Sequence, residues 1–121
     1  MYYSKYDYAE QSLNHFGDSF NLNTDEFSVE ISEIFRALAD PTRLKILYII
    51  ALNDPELVTG ARISKELGIS PPTVTHHITI LEQAGFVNRI RTGRRARYEI
   101  CTPQFSHFNS LIRTLAASIG Y

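Results

Sequence analysis

Arg89, Arg91, Arg94, Arg95 and Arg97 crowd one short stretch in the last third of the chain. A guanidinium stays charged at any physiological pH and offers a planar fork of donors that fits phosphate and carboxylate oxygens. Such density suits a polyanion. Just upstream stand two adjacent histidines, His76 and His77, and beyond these the side chains able to do covalent or metal chemistry are sparse. The single cysteine, Cys101, has no partner within the chain for a disulfide and cannot alone build a thiolate metal site. Neighbouring residues on a helix diverge by about 100°, so His76 and His77 do not close on one ion. No nucleophile sits in a recognisable elbow, and no acidic pair flanks a glycine-rich loop. The chain is therefore expected not to be an enzyme, and to use no metal and no cofactor.

The overall charge of −1 conceals a division along the sequence. Residues 1–57 carry ten acidic and four basic side chains, whereas 58–97 carry seven basic ones, including Arg62 and Lys65, against only Glu66 and Glu82. A basic block in an otherwise acidic chain is the mark of a surface that meets a polyanion. With 44% hydrophobic residues in 121, the composition is that of one folded domain, neither disordered nor membranous. The longest apolar run, Ile46 to Leu52, falls far short of the ~20 residues needed to span a bilayer, and the first residues lack the apolar core of a secretory signal. A cytoplasmic location is expected.

The element that must position the histidines is written "SPPTVTHHITILEQAG", Ser70 to Gly85. Ser70 can cap a helix whose first positions are proline, where no N–H is wasted. Stepping 100° per residue gathers Val74, Ile78 and Leu81 on one face and sets Pro72, His76, Thr79 and Gln83 opposite, with Thr75 on their shoulder. His77 falls nearer the apolar side, as a packing residue bonded to backbone. Before this helix, Val58 to Gly68 reads as a short helix capped by Thr59 and stopped by Gly68, so a glycine-containing turn separates the two. That is a helix-turn-helix outline. After it, "FVNRIR" and "ARYEI" are strand-prone and joined by "TGRR", a hairpin with a basic tip.

The flanking segments supply the support. Phe27, Ile31, Ile34, Phe35 and Leu38 recur at helical spacing from Thr24 to near Ala39. "DPTR" restarts a helix with Asp40 as cap and Pro41 in its first turn, and Leu44 to Leu52 is apolar nearly all round, which predicts a central buried helix. A last helix opens at Thr102 and Pro103 with Phe105, Phe108, Ile112, Leu115 and Ile119 in one stripe, expected to be a dimer face. Tyr2, Tyr3, Tyr6, Leu13 and Phe16 suggest a further helix within an N-terminal extension, residues 1–23, that packs in the dimer. The fold expected is mostly α with a small β-hairpin: a winged helix-turn-helix over 24–121 with extra N- and C-terminal helices.

With these elements placed, the chain resembles the ArsR/SmtB family of winged-helix repressors, over about residues 27–118. The marks are "ALADPTRLKIL" (37–47), "ISKELGIS" (63–70), "TVTHHITILEQAGFV" (73–87) and "RRARYEI" (94–100). The resemblance implies a homodimer whose second helix enters the major groove of a palindromic operator while the hairpin flanks it. It implies DNA contacts at Pro71, Pro72, Thr75 and His76 and, from the wing, at Arg94, Arg95 and Arg97; the helical wheel adds Thr79. Where the family usually carries polar residues this chain has Pro71 and Pro72, which cannot hydrogen-bond a base but can touch a thymine methyl.

Many relatives sense metals through a Cys-x-Cys pair before the turn, or through paired Asp/His and His/Glu ligands on the last helix. Here the corresponding helix reads "TGARISKEL" and the last helix offers only His107. A site assembled from Asp7, His15 and Asp18 with His107 of another subunit is the remaining metal arrangement, and a small-molecule effector is the other sensing mode left open. The competing class is a winged-helix protein-interaction module, which would not need the arginines of 89–97 and would ignore duplexes at low salt.

Overall fold

A computed structural model describes residues 24–120. The order of elements is α1 (Thr24–Leu38), α2 (Pro41–Leu52), a 3-10 turn (Pro55–Leu57), α3 (Gly60–Leu67), α4 (Pro71–Gln83), β1 (Val87–Thr92), β2 (Arg95–Ile100) and α5 (Thr102–Ser118). The mostly helical winged architecture expected from the sequence is what forms. The N-terminal extension and its tyrosines lie outside the described residues.

The chain divides into two compact units, one made of α1 up to Ile34 with α5 from Pro103, the other running from Phe35 to Thr102. In the first, Ile31, Ile34 and Leu111 are buried. Buried among them are polar groups too, Glu30, Gln104, His107 and Thr114. His107 Nε2 lies 2.5 Å from Glu30 Oε1, joining the two helices through a polar pair at less than a tenth exposure.

The second unit is built by local stop and start signals. Asp40 accepts hydrogen bonds from the Thr42 and Arg43 amides at 2.8 and 3.0 Å, so α2 starts where "DPTR" predicts. Thr59 caps α3 by accepting from the Arg62 amide, and Gly68 closes it in the left-handed conformation at φ 65°. α4 ends in a Schellman arrangement: Gly85 (φ 86°) donates to Glu82 and Phe86 donates to the Leu81 carbonyl. The strands pair antiparallel from Val87 with Ile100 to Thr92 with Arg95, leaving Gly93 and Arg94 as the loop. Only Gly93 has positive φ, the pattern of a II′ hairpin.

The core of this unit is Ile46, Leu47, Ile50, Val58, Ile63, Val74, Ile78, Leu81, Phe86, Val87 and Tyr98. α2 does not conform to the expectation of a wholly buried helix. Its inner face is buried, but Leu44, Tyr48 and Leu52, spaced by four residues along one stripe, are 45%, 68% and 77% exposed. An all-round apolar helix carries no period to say which side faces in, and the partners in this unit, α4 and β2, cover only one.

Candidate nucleic-acid interface

α4 is the helix expected to read DNA, and its orientation follows from its inward face. Val74, Ile78 and Leu81 are fully buried, which turns Pro71, Pro72, Thr73, Thr75 and His76 to solvent. The face expected to read bases is thus presented. Thr79, one turn further along the same face, is half-buried.

The two histidines separate as their angular positions require. His76 is exposed, whereas His77 is half-buried with Nδ1 3.3 Å from Arg43 NH1. A guanidinium can only donate, so Nδ1 accepts and the proton of the neutral ring sits on Nε2. The expected backbone bond is thus a bond to a side chain. Arg43 also donates through Nε to the Ala37 carbonyl at 2.6 Å and through NH2 to Arg36 at 3.1 Å. One cation therefore satisfies the open C-terminal carbonyls of α1 and reaches α4. The neighbouring Asp40 carboxyl is held below its ordinary range, chiefly by the hydrogen bond from the Arg43 amide; burial opposes this, and the Arg43 charge and the Thr42 amide add to the lowering.

The wing is fastened at its base. The Tyr98 amide donates to the Val58 carbonyl and Thr59 forms an isolated antiparallel bridge to Arg97, so the segment leading into α3 is tied to β2. Its arginines then divide into two groups. Arg89 is paired with Glu82 at 2.7 Å and lies over the Tyr98 ring at 5.6 Å; Arg97 is paired with Glu56. Both of these arginines therefore have carboxylate partners within the chain. Arg91, Arg94 and Arg95 are exposed, and no ion pair is formed by them among the described residues. Shallow space of about 230 Å³ lies between the strand faces and the 3-10 turn, lined by Glu56, Thr59, Ile90, Thr92, Arg95 and Arg97. It is open to solvent and carries mixed charge.

No group of three or more His, Cys, Asp or Glu side chains arranged to hold a metal occurs among the described residues. His107 is committed to Glu30 of its own chain rather than offered outward, and the remaining members of the alternative metal set, Asp7, His15 and Asp18, lie outside the described residues. Cys101 is buried at the end of β2, its amide donating to Phe86. Along α5 the buried positions are Gln104, His107, Leu111 and Thr114, while Phe105, Phe108 and Ile112 are half-buried and Leu115 and Ile119 exposed. No helix among the described residues is long and apolar enough to cross a membrane.

A helix-turn-helix whose second helix stands open beside a cationic two-stranded wing defines the winged helix-turn-helix class. Residues 40–89 match the family model of bacterial regulatory proteins of the arsR family. The chain is 40% identical over 86 residues to a probable mercury resistance operon repressor of Streptomyces lividans, covering 71% of this chain and 66% of that relative. It is 35% identical over 72 residues to the transcriptional repressor SdpR of Bacillus subtilis, covering 60% of this chain and 77% of that one. A solution structure of a homodimeric winged helix-turn-helix DNA-binding domain from Mycobacterium bovis superposes with a TM-score of 0.61 at 22% identity, over 82% of this chain and 89% of that domain. The chain belongs to the ArsR family, whose members here are transcriptional regulators and not enzymes.

Proposed function

We propose that this protein is a homodimeric, cytoplasmic repressor that binds a palindromic operator, each subunit placing α4 in one of two successive major grooves. The observation that carries this reading is the open face of α4, with Thr75 and His76 exposed, together with the exposed Arg94 and Arg95 of the wing, which form no ion pair among the described residues. Thr75 can donate or accept and His76 can donate to base edges, so sequence is read there, with Pro71 and Pro72 touching apolar groups and Thr79 at the margin. Arg91, Arg94 and Arg95 attract phosphate without regard to sequence; Arg97 acts by fastening the wing.

Pairing of two copies is supported by α5, where Phe105, Phe108, Ile112, Leu115 and Ile119 form an apolar stripe less buried than the adjacent face of Gln104, His107, Leu111 and Thr114. It is supported also by the homodimeric state of the Mycobacterium bovis domain, while the repressor names of the relatives support the regulatory role. The family's usual metal-ligand sets are missing from "TGARISKEL" and from α5, so an effector acting here is a small molecule rather than a metal held by those sets.

The experiment is selection of bound duplexes from a random pool, with light scattering to fix the mass of the free protein. The expected result is a dimer and two half-sites related by a dyad, their centres about one helical turn apart. A single subunit at working concentration, or a motif without dyad symmetry, refutes it.

A further inference from the structure

The leading end of α4 has an unusual inventory of donors. A helix normally begins with four N–H groups free of internal partners, and such an end is a ready site for phosphate or for a base acceptor. In α4 the first two residues, Pro71 and Pro72, have no N–H at all. The next, Thr73, donates to Ser70 Oγ at 3.3 Å, and Val74 donates to the Ser70 carbonyl at 3.0 Å. The two hydroxyls nearest this end, of Ser70 and Thr73, are 2.8 Å apart and bonded to one another. The donors there are depleted: two N–H groups are missing, and the Thr73 and Val74 amides are turned back onto Ser70. What the end shows to solvent is two exposed pyrrolidine rings, followed by the exposed side chains of Thr75 and His76.

In the major groove each base edge presents donors and acceptors, and the C5-methyl of thymine is the only apolar group. A proline ring pressed on a polar edge removes water from it and returns no hydrogen bond, which is unfavourable. Against a methyl, no hydrogen bond is lost and apolar area leaves water. Resting on the reading that α4 enters the major groove, we infer that Pro71 and Pro72 are specificity residues that select thymine by its C5-methyl group. Each half-site accordingly carries thymine at the one or two positions facing the start of α4, while Thr75 and His76 read the adjacent pairs by hydrogen bonds.

The test uses the best duplex from the random pool and replaces each thymine in turn by uracil, which removes the methyl and leaves base pairing intact. At one or two positions per half-site the native protein should bind about fourfold more weakly for each methyl removed. The Pro71→Ser, Pro72→Gln double variant, checked for an unchanged thermal midpoint, should bind the thymine and uracil duplexes equally. Native binding indifferent to uracil at every position overturns the inference and leaves the DNA-binding reading standing. So does a double variant that keeps the full uracil penalty, since another group would then be reading the methyl. Failure of the native protein to bind any duplex at low salt sinks the DNA-binding reading itself, and this inference with it.

Discussion

Replacing Arg43 by alanine tests the joint between the reading helix and its support. The side chain is only 12% exposed and makes three hydrogen bonds, to the Ala37 and Arg36 carbonyls and to His77 Nδ1. A hydrogen bond from a charged group contributes roughly 1.5–3 kcal/mol net. Three bonds from one fork are not additive, and water can reach the vacated carbonyls, so the low end applies. A total loss of about 3 kcal/mol is expected, lowering the thermal midpoint by roughly 10–20 °C for a domain of this size. Arg43→Lys retains charge near the end of α1 but cannot span all three acceptors, and should lose about half as much. A double-mutant cycle with His77→Ala, followed by urea unfolding, isolates the bond to α4; its coupling should be about 0.5–1.5 kcal/mol. A loss below about 1 kcal/mol for Arg43→Ala, a lysine variant equal to the native protein, or zero coupling to His77 would refute the reasoning.

Converting Arg94 and Arg95 together to alanine should weaken all duplexes alike and flatten the salt dependence; for a dimer losing four phosphate contacts the log–log slope falls by about 3.6, read by binding titrations across salt. His76→Ala should instead leave the slope unchanged and reduce discrimination among single-base variants of the operator by roughly 1–3 kcal/mol. The carboxyl of Asp40 has a lowered pKa in the folded chain, so its contribution to stability is present above the ordinary value near 3.8 and is lost as pH falls through the folded value. Asp40→Asn should therefore flatten that acid limb of the stability curve, measured by urea midpoints from neutral pH downward. Gly68→Ala meets no neighbouring atom but forces alanine to φ +65°, and should cost about 1 kcal/mol in chemical unfolding with no change in DNA contacts.

What the sequence made legible was what is local. Asp40, Thr59 and Ser70 cap the helices they were expected to cap, and Gly68 and Gly85 end theirs, because each acts within a few residues of chain. The inward face of α4 followed from period alone. The hairpin followed from its glycine-containing tip. The partners of the charged groups were not legible, since they are distant in sequence: Arg97 with Glu56 across 41 positions, Arg43 with His77 across 34, His107 with Glu30 across 77. Five wing arginines look equivalent in one dimension, and only folding reveals that Arg89 and Arg97 have carboxylate partners. The exposed Leu44, Tyr48 and Leu52 stripe escaped for the opposite reason, too much hydrophobicity rather than too little pattern.

The wing joins the segment before α3 through the Tyr98 amide and the Thr59–Arg97 bridge, and its far end turns in only two residues. Clamped at the root and short at the tip, it leaves little chain between the clamp and its exposed arginines. The span from those arginines to the exposed side chains of α4 is thus set by hydrogen bonds near the wing's base, like the jaws of a caliper. Extra residues between Gly93 and Arg94 would lengthen its reach while leaving the clamp and the reading helix as they are.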